Sequence, residues 1–132
     1  MTDTQDFSGL WHNKYTYYND IETSGTSEHD IKIYKTGNQL VLQSVPNQED
    51  SYFVARLTLD GDLLTGTWQE QTSPTGKYKG QIYYGAAQLI RNEGGKRMHG
   101  KMVMINHELE IITGDWEVVK TDKNSTLFMH NE

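Results

Sequence analysis

The sequence has no cysteine, 2 prolines and a deficit of positive charge. Without cysteine there is no disulfide framework, no thiolate nucleophile and no cysteine-ligated zinc or iron–sulfur site. No apolar run approaches the roughly 18 residues of a helical membrane span. The first residues, MTDTQDFSG, carry neither a basic nor an apolar leader segment. Twelve basic side chains against eighteen acidic ones leave a net charge of -6, which repels a phosphate backbone. A DNA duplex and an anionic membrane surface are therefore not expected partners. The expected setting is cytoplasmic.

Catalytic and metal-binding signatures are equally scarce. Neither His-Glu-x-x-His nor Gly-x-Ser-x-Gly occurs. Gly94-Gly95-Lys96 reads as a hairpin turn with a basic neighbour, since no helix follows it to cradle a phosphate. The five histidines, His12, His29, His99, His107 and His130, show no mutual spacing that would bind a metal. Each reads as a surface strand residue, and no metal or cofactor is expected.

What is present is a two-residue rhythm along 132 residues, enough for one domain that buries roughly two-thirds of its unfolded surface. In GLWHNKYTYY, Trp11, Tyr15 and Tyr17 fall on one side, with His12, Lys14 and Thr16 on the other. After a polar loop over 19–27, Ile31 and Ile33 alternate with Lys32 and Tyr34. Gly37-Asn38 reads as a two-residue turn into QLVLQSV, and Asp60-Gly61-Asp62 joins SYFVARLTL to LLTGTWQEQ. Further strands are read at 77–92, in RMHGKMVMIN and in IITGDWEVVK. Eight strands joined by short connections form a meander. With internal glycines to let strands bend, the expected fold is all-β: an eight-stranded antiparallel up-and-down barrel. A two-sheet sandwich is the alternative. Residues 8–120 form the barrel domain, between an N-terminal tail (1–7) and a C-terminal tail (121–132).

Gly-x-Trp occurs three times, at Gly9-Leu10-Trp11, Gly66-Thr67-Trp68 and Gly114-Asp115-Trp116. Glycine lets the backbone bend while the indole fills a barrel layer. The opening Gly-x-Trp ahead of such a meander resembles the calycin superfamily of lipocalins, fatty-acid-binding proteins and avidins. The helical lid of the fatty-acid-binding proteins and the C-terminal helix of lipocalins have no counterpart here, so the resemblance is one of architecture. Across residues 8–120, SGLWHNKYTYY, LTGTWQEQTSPTGKYKG, YYGAAQL, GKRMHGKMV and ITGDWEV resemble a small bacterial barrel domain found alone or behind helix-turn-helix regions of regulators. Gly-x-Trp followed by Tyr-x-Tyr also resembles the β-barrel receptor domains of antiphage (CBASS) effectors that sense cyclic oligonucleotides. These resemblances imply a non-catalytic sensor of a small ligand, with a nucleotide-type messenger as the sharper reading. The chain carries neither the DNA-binding helices nor the transmembrane pair of those proteins.

The residues themselves offer aromatic surface. Fourteen aromatic side chains include the clusters Tyr15, Tyr17, Tyr18 and Tyr83, Tyr84, and tyrosine joins a flat apolar face to one hydroxyl. The candidate ligand-binding set is Tyr15, Tyr17, Arg56, Trp68, Glu70, Tyr84 and Gln88, with Arg56 countering ligand charge through its planar fork. Two bland readings stand beside it: tyrosines as good strand formers, and Arg56 facing solvent. Glu70 shares a face with Trp68. It is either a rim carboxylate in water, paired with Arg56 or Lys79, or a buried group of raised pKa serving a small isomerase, cyclase or hydrolase. A third class is a filled barrel that docks proteins through its outer wall. Met98, Met102 and Met104 share one face and read as core.

Overall fold

The computed structural model describes residues 6–18, 24–46, 51–72, 74–75, 82–105 and 109–121. Eight antiparallel strands close into a barrel in strict sequence order. They are β1 (Trp11–Tyr18), β2 (Ser24–Thr36), β3 (Gln39–Ser44), β4 (Tyr52–Asp60), β5 (Leu63–Gln71), β6 (Ile82–Asn92), β7 (Arg97–Ile105) and β8 (Ile111–Lys120). The ring shuts where β1 pairs with β8, from Trp11↔Lys120 to Tyr18↔Thr113. Closure pairs both edges of the sheet, so no strand is left as an aggregation template.

Two adjustments to the sequence reading have physical causes. Residues 24–27 belong to β2 rather than to a loop, because Ser24, Gly25, Thr26 and Ser27 pair with Tyr18, Tyr17, Thr16 and Tyr15. Weak strand propensity yields there to a ladder that a neighbouring strand supplies. In the Gly37-Asn38 turn, positive φ falls on Gly37 alone, at 63°. Asp60-Gly61-Asp62 behaves likewise, with Gly61 at 62°. Glycine at the first turn position is the requirement of a type II′ hairpin.

Alternation sends one residue in two to the interior. The buried core includes Trp11 and Tyr15 from β1, Ile31 and Ile33 from β2, and Leu40 and Leu42 from β3. From β4 and β5 come Phe53, Ala55, Leu57, Leu59, Leu64 and Trp68, and from β6–β8 Ala87, Leu89, Met98, Met102, Trp116 and Val118. Met98 and Met102 are core and Met104, on the same face, is partly buried against it. Glycines at 66, 100 and 114 stand where a Cβ would run into the backbone of the next strand, at Arg56, Gln88 and Thr16 respectively. There the chain bends too tightly for any side chain, which is the role expected of glycine in Gly66-x-Trp68 and Gly114-x-Trp116.

The two ends of the barrel differ. At one, which we call the turn end, the hairpins at 37–38 and 61–62 and the 3₁₀ turn Glu93–Gly95 join the strands. The chain before β1 folds across this end. Phe7 is buried 6.0 Å from Trp11, ring to ring, and its carbonyl accepts the Trp11 indole N–H at 3.1 Å. Lys120 lies over the Trp11 ring at 5.7 Å and donates to the Asp6 carbonyl at 2.8 Å. At the other, loop end, longer connections join the strands, including 19–23, 47–50, 76–81 and 106–108, which fall outside the described residues. Tyr78, Lys79, His107 and His130 lie there or in the tail and are likewise outside them.

Candidate functional site

An aromatic layer crosses the interior toward the loop end. Phe53 is its centre: its ring lies 5.6 Å from Tyr15, 6.1 Å from Trp68 and 5.6 Å from Trp116, and 5.4 Å from the imidazole of His29. Tyr15 and His29 meet edge to face at 6.1 Å. Glycine makes room for this much ring surface. The Trp68 indole occupies the space that a Cβ on Gly85 would take, and the Tyr17 ring does the same at Gly25. Both rings sit directly opposite those glycines across a strand pair, an aromatic-over-glycine arrangement that also covers exposed backbone.

Polar groups are threaded through the layer. Asn13, fully buried between Trp11 and Tyr15 on the inward face of β1, accepts the Trp116 indole N–H on Oδ1 at 2.5 Å. An indole nitrogen only donates, so this bond fixes which way the Asn13 amide points. Its Nδ2 must then be the donor in the 3.2 Å contact with Nε2 of His29. A ring nitrogen that accepts carries no proton, so neutral His29 bears its hydrogen on Nδ1. Burial keeps it neutral by lowering its pKa to about 4, with nearby His12 adding to the effect.

Three features of the layer lack compensation. The Tyr15 hydroxyl and the Trp68 Nε1–H are buried without a hydrogen-bond partner. Glu70, two residues beyond Trp68, projects inward at the loop end, where burial raises its pKa. Burial is also the main reason the Tyr15 hydroxyl is held well above its ordinary value, and the facing Glu70 carboxylate adds to it. Ser27 and Glu70 both bear on that hydroxyl, but neither closes a hydrogen bond onto it. A buried polar atom without a partner costs about 1–3 kcal/mol. Two in one layer, beside a carboxylate, mark a place where packing serves something other than stability.

The sequence-predicted residues divide between the two walls. Tyr15, Tyr17, Trp68 and Glu70 come together inside. Arg56, Tyr84 and Gln88 do not join them. Arg56 projects outward from β4, exposed, between Val41 and Thr67 of the neighbouring strands. Tyr84 is 59% exposed on the outer wall of β6. Gln88 is exposed on the same wall and donates to Thr65 Oγ1 at 3.1 Å. The reason is parity: Tyr83, Ala87 and Leu89 take the inward positions of β6, and Leu57 and Phe53 those of β4. Glu70 therefore faces inward, half-buried at the loop end, and is not a partner of Arg56, which sits on the opposite face; Lys79 lies outside the described residues. Trp68 is core at 3% exposure despite its polar neighbours.

Asn13 and His29 are the interior groups that sequence reasoning missed. The expectation that His29 is a surface residue fails because it shares parity with Ile31 and Ile33, and that parity was the available signal. His12 and His99 do lie outward, bonded to Glu28 at 2.8 Å and to Asn92 at 3.2 Å. Among the described residues no three His, Asp or Glu side chains are grouped to hold a metal.

On the outer wall of β1, β8 and β7 a groove of about 430 Å³ is lined by Lys14, Thr16, Arg97, His99, Lys101, Asp115 and Glu117. Its charges are largely matched within it: Arg97 holds Glu117 at 2.6 Å, and Lys101 pairs with Asp115. Exposed pairs of this kind carry little energy and leave little net field for a ligand. No family model matches the sequence, and no curated protein is detectably similar to it.

Proposed function

We propose that this barrel is a non-catalytic binding module of calycin type that takes a small organic ligand at its loop end. The observation that carries the reading is the pair of unpartnered buried donors, the Tyr15 hydroxyl and the Trp68 indole N–H, beside inward-facing Glu70. A barrel filled only for stability has no need of them, whereas a binding site keeps polar groups to fix its ligand's orientation. Eight strands enclose room for one small ligand at most. Turnover at Glu70 is the weaker reading, since the acid that faces it, the Tyr15 hydroxyl, is held well above its ordinary pKa by burial. The cysteine-free composition favours a cytoplasmic setting.

A cyclic oligonucleotide or other nucleotide-type messenger draws on the sequence resemblance alone. The geometry gives it no support, because Arg56 faces solvent and the inward carboxylate would repel a phosphate. A thermal-shift screen against amines, nucleosides, nucleotides, fatty acids and common metabolites tests the proposal. A ligand at 100 times its dissociation constant adds about 2.7 kcal/mol of stability, a clear rise in melting temperature for a domain of this size. Any hit is expected to weaken in Tyr15→Phe and in Trp68→Phe, which keep the rings and remove the donors. A hit indifferent to both substitutions overturns the site.

One observation favours a second reading, docking through the outer wall. At the loop end of β6, β7 and β8, Ile82, Tyr84, Val103, Ile105 and Ile111 are all exposed, Ile111 by 71%. Ile105 pairs directly with Ile111. Contiguous apolar surface of this sort is typical of contact sites. A Tyr84→Glu, Ile105→Glu double variant that left every association of the chain unchanged would remove this reading.

A further inference from the structure

The charges on the inner face of the barrel are segregated by sign. The described cations of inward parity, Lys35, Arg91 and Lys120, lie at the turn end and all are occupied, Lys35 by the Gly37 carbonyl at 2.6 Å. Arg91 donates to the Gly61 carbonyl at 3.0 Å and lies 3.3 Å from Asp62, while Lys120 spans Trp11 and Asp6. At the loop end the inward-facing charge among the described residues is the carboxylate of Glu70. Lys14, Arg56 and Lys101, the cations on the nearby strands, are exposed on the outer wall. No cation among the described residues pairs with Glu70.

The register then shows what surrounds that carboxylate. Phe53 is its cross-strand partner on one side and Tyr83 on the other. Trp68 precedes it on the same face of β5, and Tyr15 faces it across the interior. The neighbouring imidazole, His29, is kept neutral by burial, with Asn13 fixing its tautomer, and contributes no positive charge. Glu70 is thus a carboxylate among four aromatic rings, with no counter-ion among the described residues. Tyr17, Tyr83, Glu70 and Met104 are only half-buried, whereas Tyr15, Phe53, Trp68 and Trp116 beneath them are fully buried. The approach is accordingly from the loop end, with the aromatic layer as floor.

A buried carboxylate without a counter-ion favours any cation that reaches it, and ring faces add to the attraction through their quadrupoles. We propose that the ligand of this site is an organic cation, a protonated amine on a small apolar body, with Glu70 as its counter-ion and the surrounding rings as its cage. This inference rests on the binding reading above and names the chemistry of the same site. It predicts discrimination by charge at constant shape.

The test uses the whole protein and four probes built on one ring: benzylamine, benzamide, benzoate and toluene. The three tryptophans provide the readout in a proton–nitrogen NMR spectrum of their indole N–H groups. Trp11 and Trp116 are already hydrogen-bonded to Phe7 and Asn13, so their signals serve as internal controls for the fold. Trp68, unbonded, reports the site. Benzylamine is expected to move the Trp68 signal with an affinity at least about ten-fold tighter than benzamide, and benzoate to be weakest. In Glu70→Gln, with the Trp11 and Trp116 signals in place, that preference collapses to within about two-fold. Benzoate or benzamide binding as tightly as benzylamine overturns the cation assignment and leaves the binding site standing. Silence of the Trp68 signal with all four probes overturns the binding reading itself.

Discussion

The turn end and the loop end of this barrel are made from the same eight strands and solve opposite problems. At the turn end the described polar groups on the inner face are answered: the Trp11 indole by the Phe7 carbonyl, Arg91 by Asp62 and Gly61, Lys120 by Asp6. The buried atom without a partner at that end, Asn92 Oδ1, belongs to an outward position of β6 beside His99. Leucine, isoleucine and valine fill the space between them. Toward the loop end the packing turns aromatic and its outermost residues are only half-buried, and there two donors have no acceptor and a carboxylate has no cation among the described residues. Small barrels cannot separate core from site in different layers of a large domain. The comparison shows how one interior divides the tasks along its axis, with stability concentrated at one end and unsatisfied chemistry left at the other.

The contrast breaks first at Trp11. Trp11→Ala removes a fully buried indole from the well-satisfied end and is expected to cost about 3–5 kcal/mol by urea denaturation. Trp68→Phe at the other end, which deletes an unpartnered N–H and keeps a ring, is expected to cost well under half as much. Equal losses would mean that both ends are ordinary core.

The next effect is a pH dependence located at the loop end. The unfolded chain protonates His29 near 6.5, whereas the folded one waits until about 4. Between those values unfolding takes up a proton, so stability rises with pH across the window and falls as the pH drops through it. The full difference is on the order of 3 kcal/mol. Denaturation midpoints measured from pH 7 to pH 4 should show this loss in the parent chain and a flatter profile in His29→Gln. An unchanged slope in the variant would place the proton uptake elsewhere.

Smallest is the response to neutralising Glu70. Its folded-state pKa is raised, so the cost of burying it is absent at low pH and appears as the pH rises through that value. Glu70→Gln should therefore stabilise the free protein at pH 8, on the order of 1 kcal/mol, and lose that advantage under acidic conditions. A destabilised variant at pH 8 would show that the carboxylate already has its counter-ion within the protein.

Legibility in the sequence followed the strength of alternation. Where one face was plainly apolar, as with Phe53, Ala55, Leu57 and Leu59 or with Met98, Met102 and Met104, the inward set and the barrel could be read directly. In β6 both faces are mixed: Ile82, Tyr84 and Ile90 point out while Tyr83, Ala87 and Leu89 point in. A shift of one residue exchanges these sets, and only the ladder with β5 and β7 decides between them. That is why Tyr84 and Gln88 were joined to Tyr15 in expectation and lie on the opposite wall in the structure. Trp68 anchors β5, so the sequence puts Glu70 on the same face as Trp68, while which face that is stays open until the ladder is known. Asn13 and His29 stayed hidden for a different reason: a polar residue at an inward position looks like an exposed one until its partners, which arrive from distant strands, are known.

The bond between Asn13 and Trp116 joins the first strand to the last across 103 residues of chain. It exists only once the barrel has closed. Contacts of such long sequence separation pay the greatest loop-closure entropy and form late, so slow folding is expected. Because Asn13 also dictates which nitrogen of His29 bears the proton, the position of that hydrogen is a topological outcome. Until the eighth strand docks against the first, nothing in the chain specifies it.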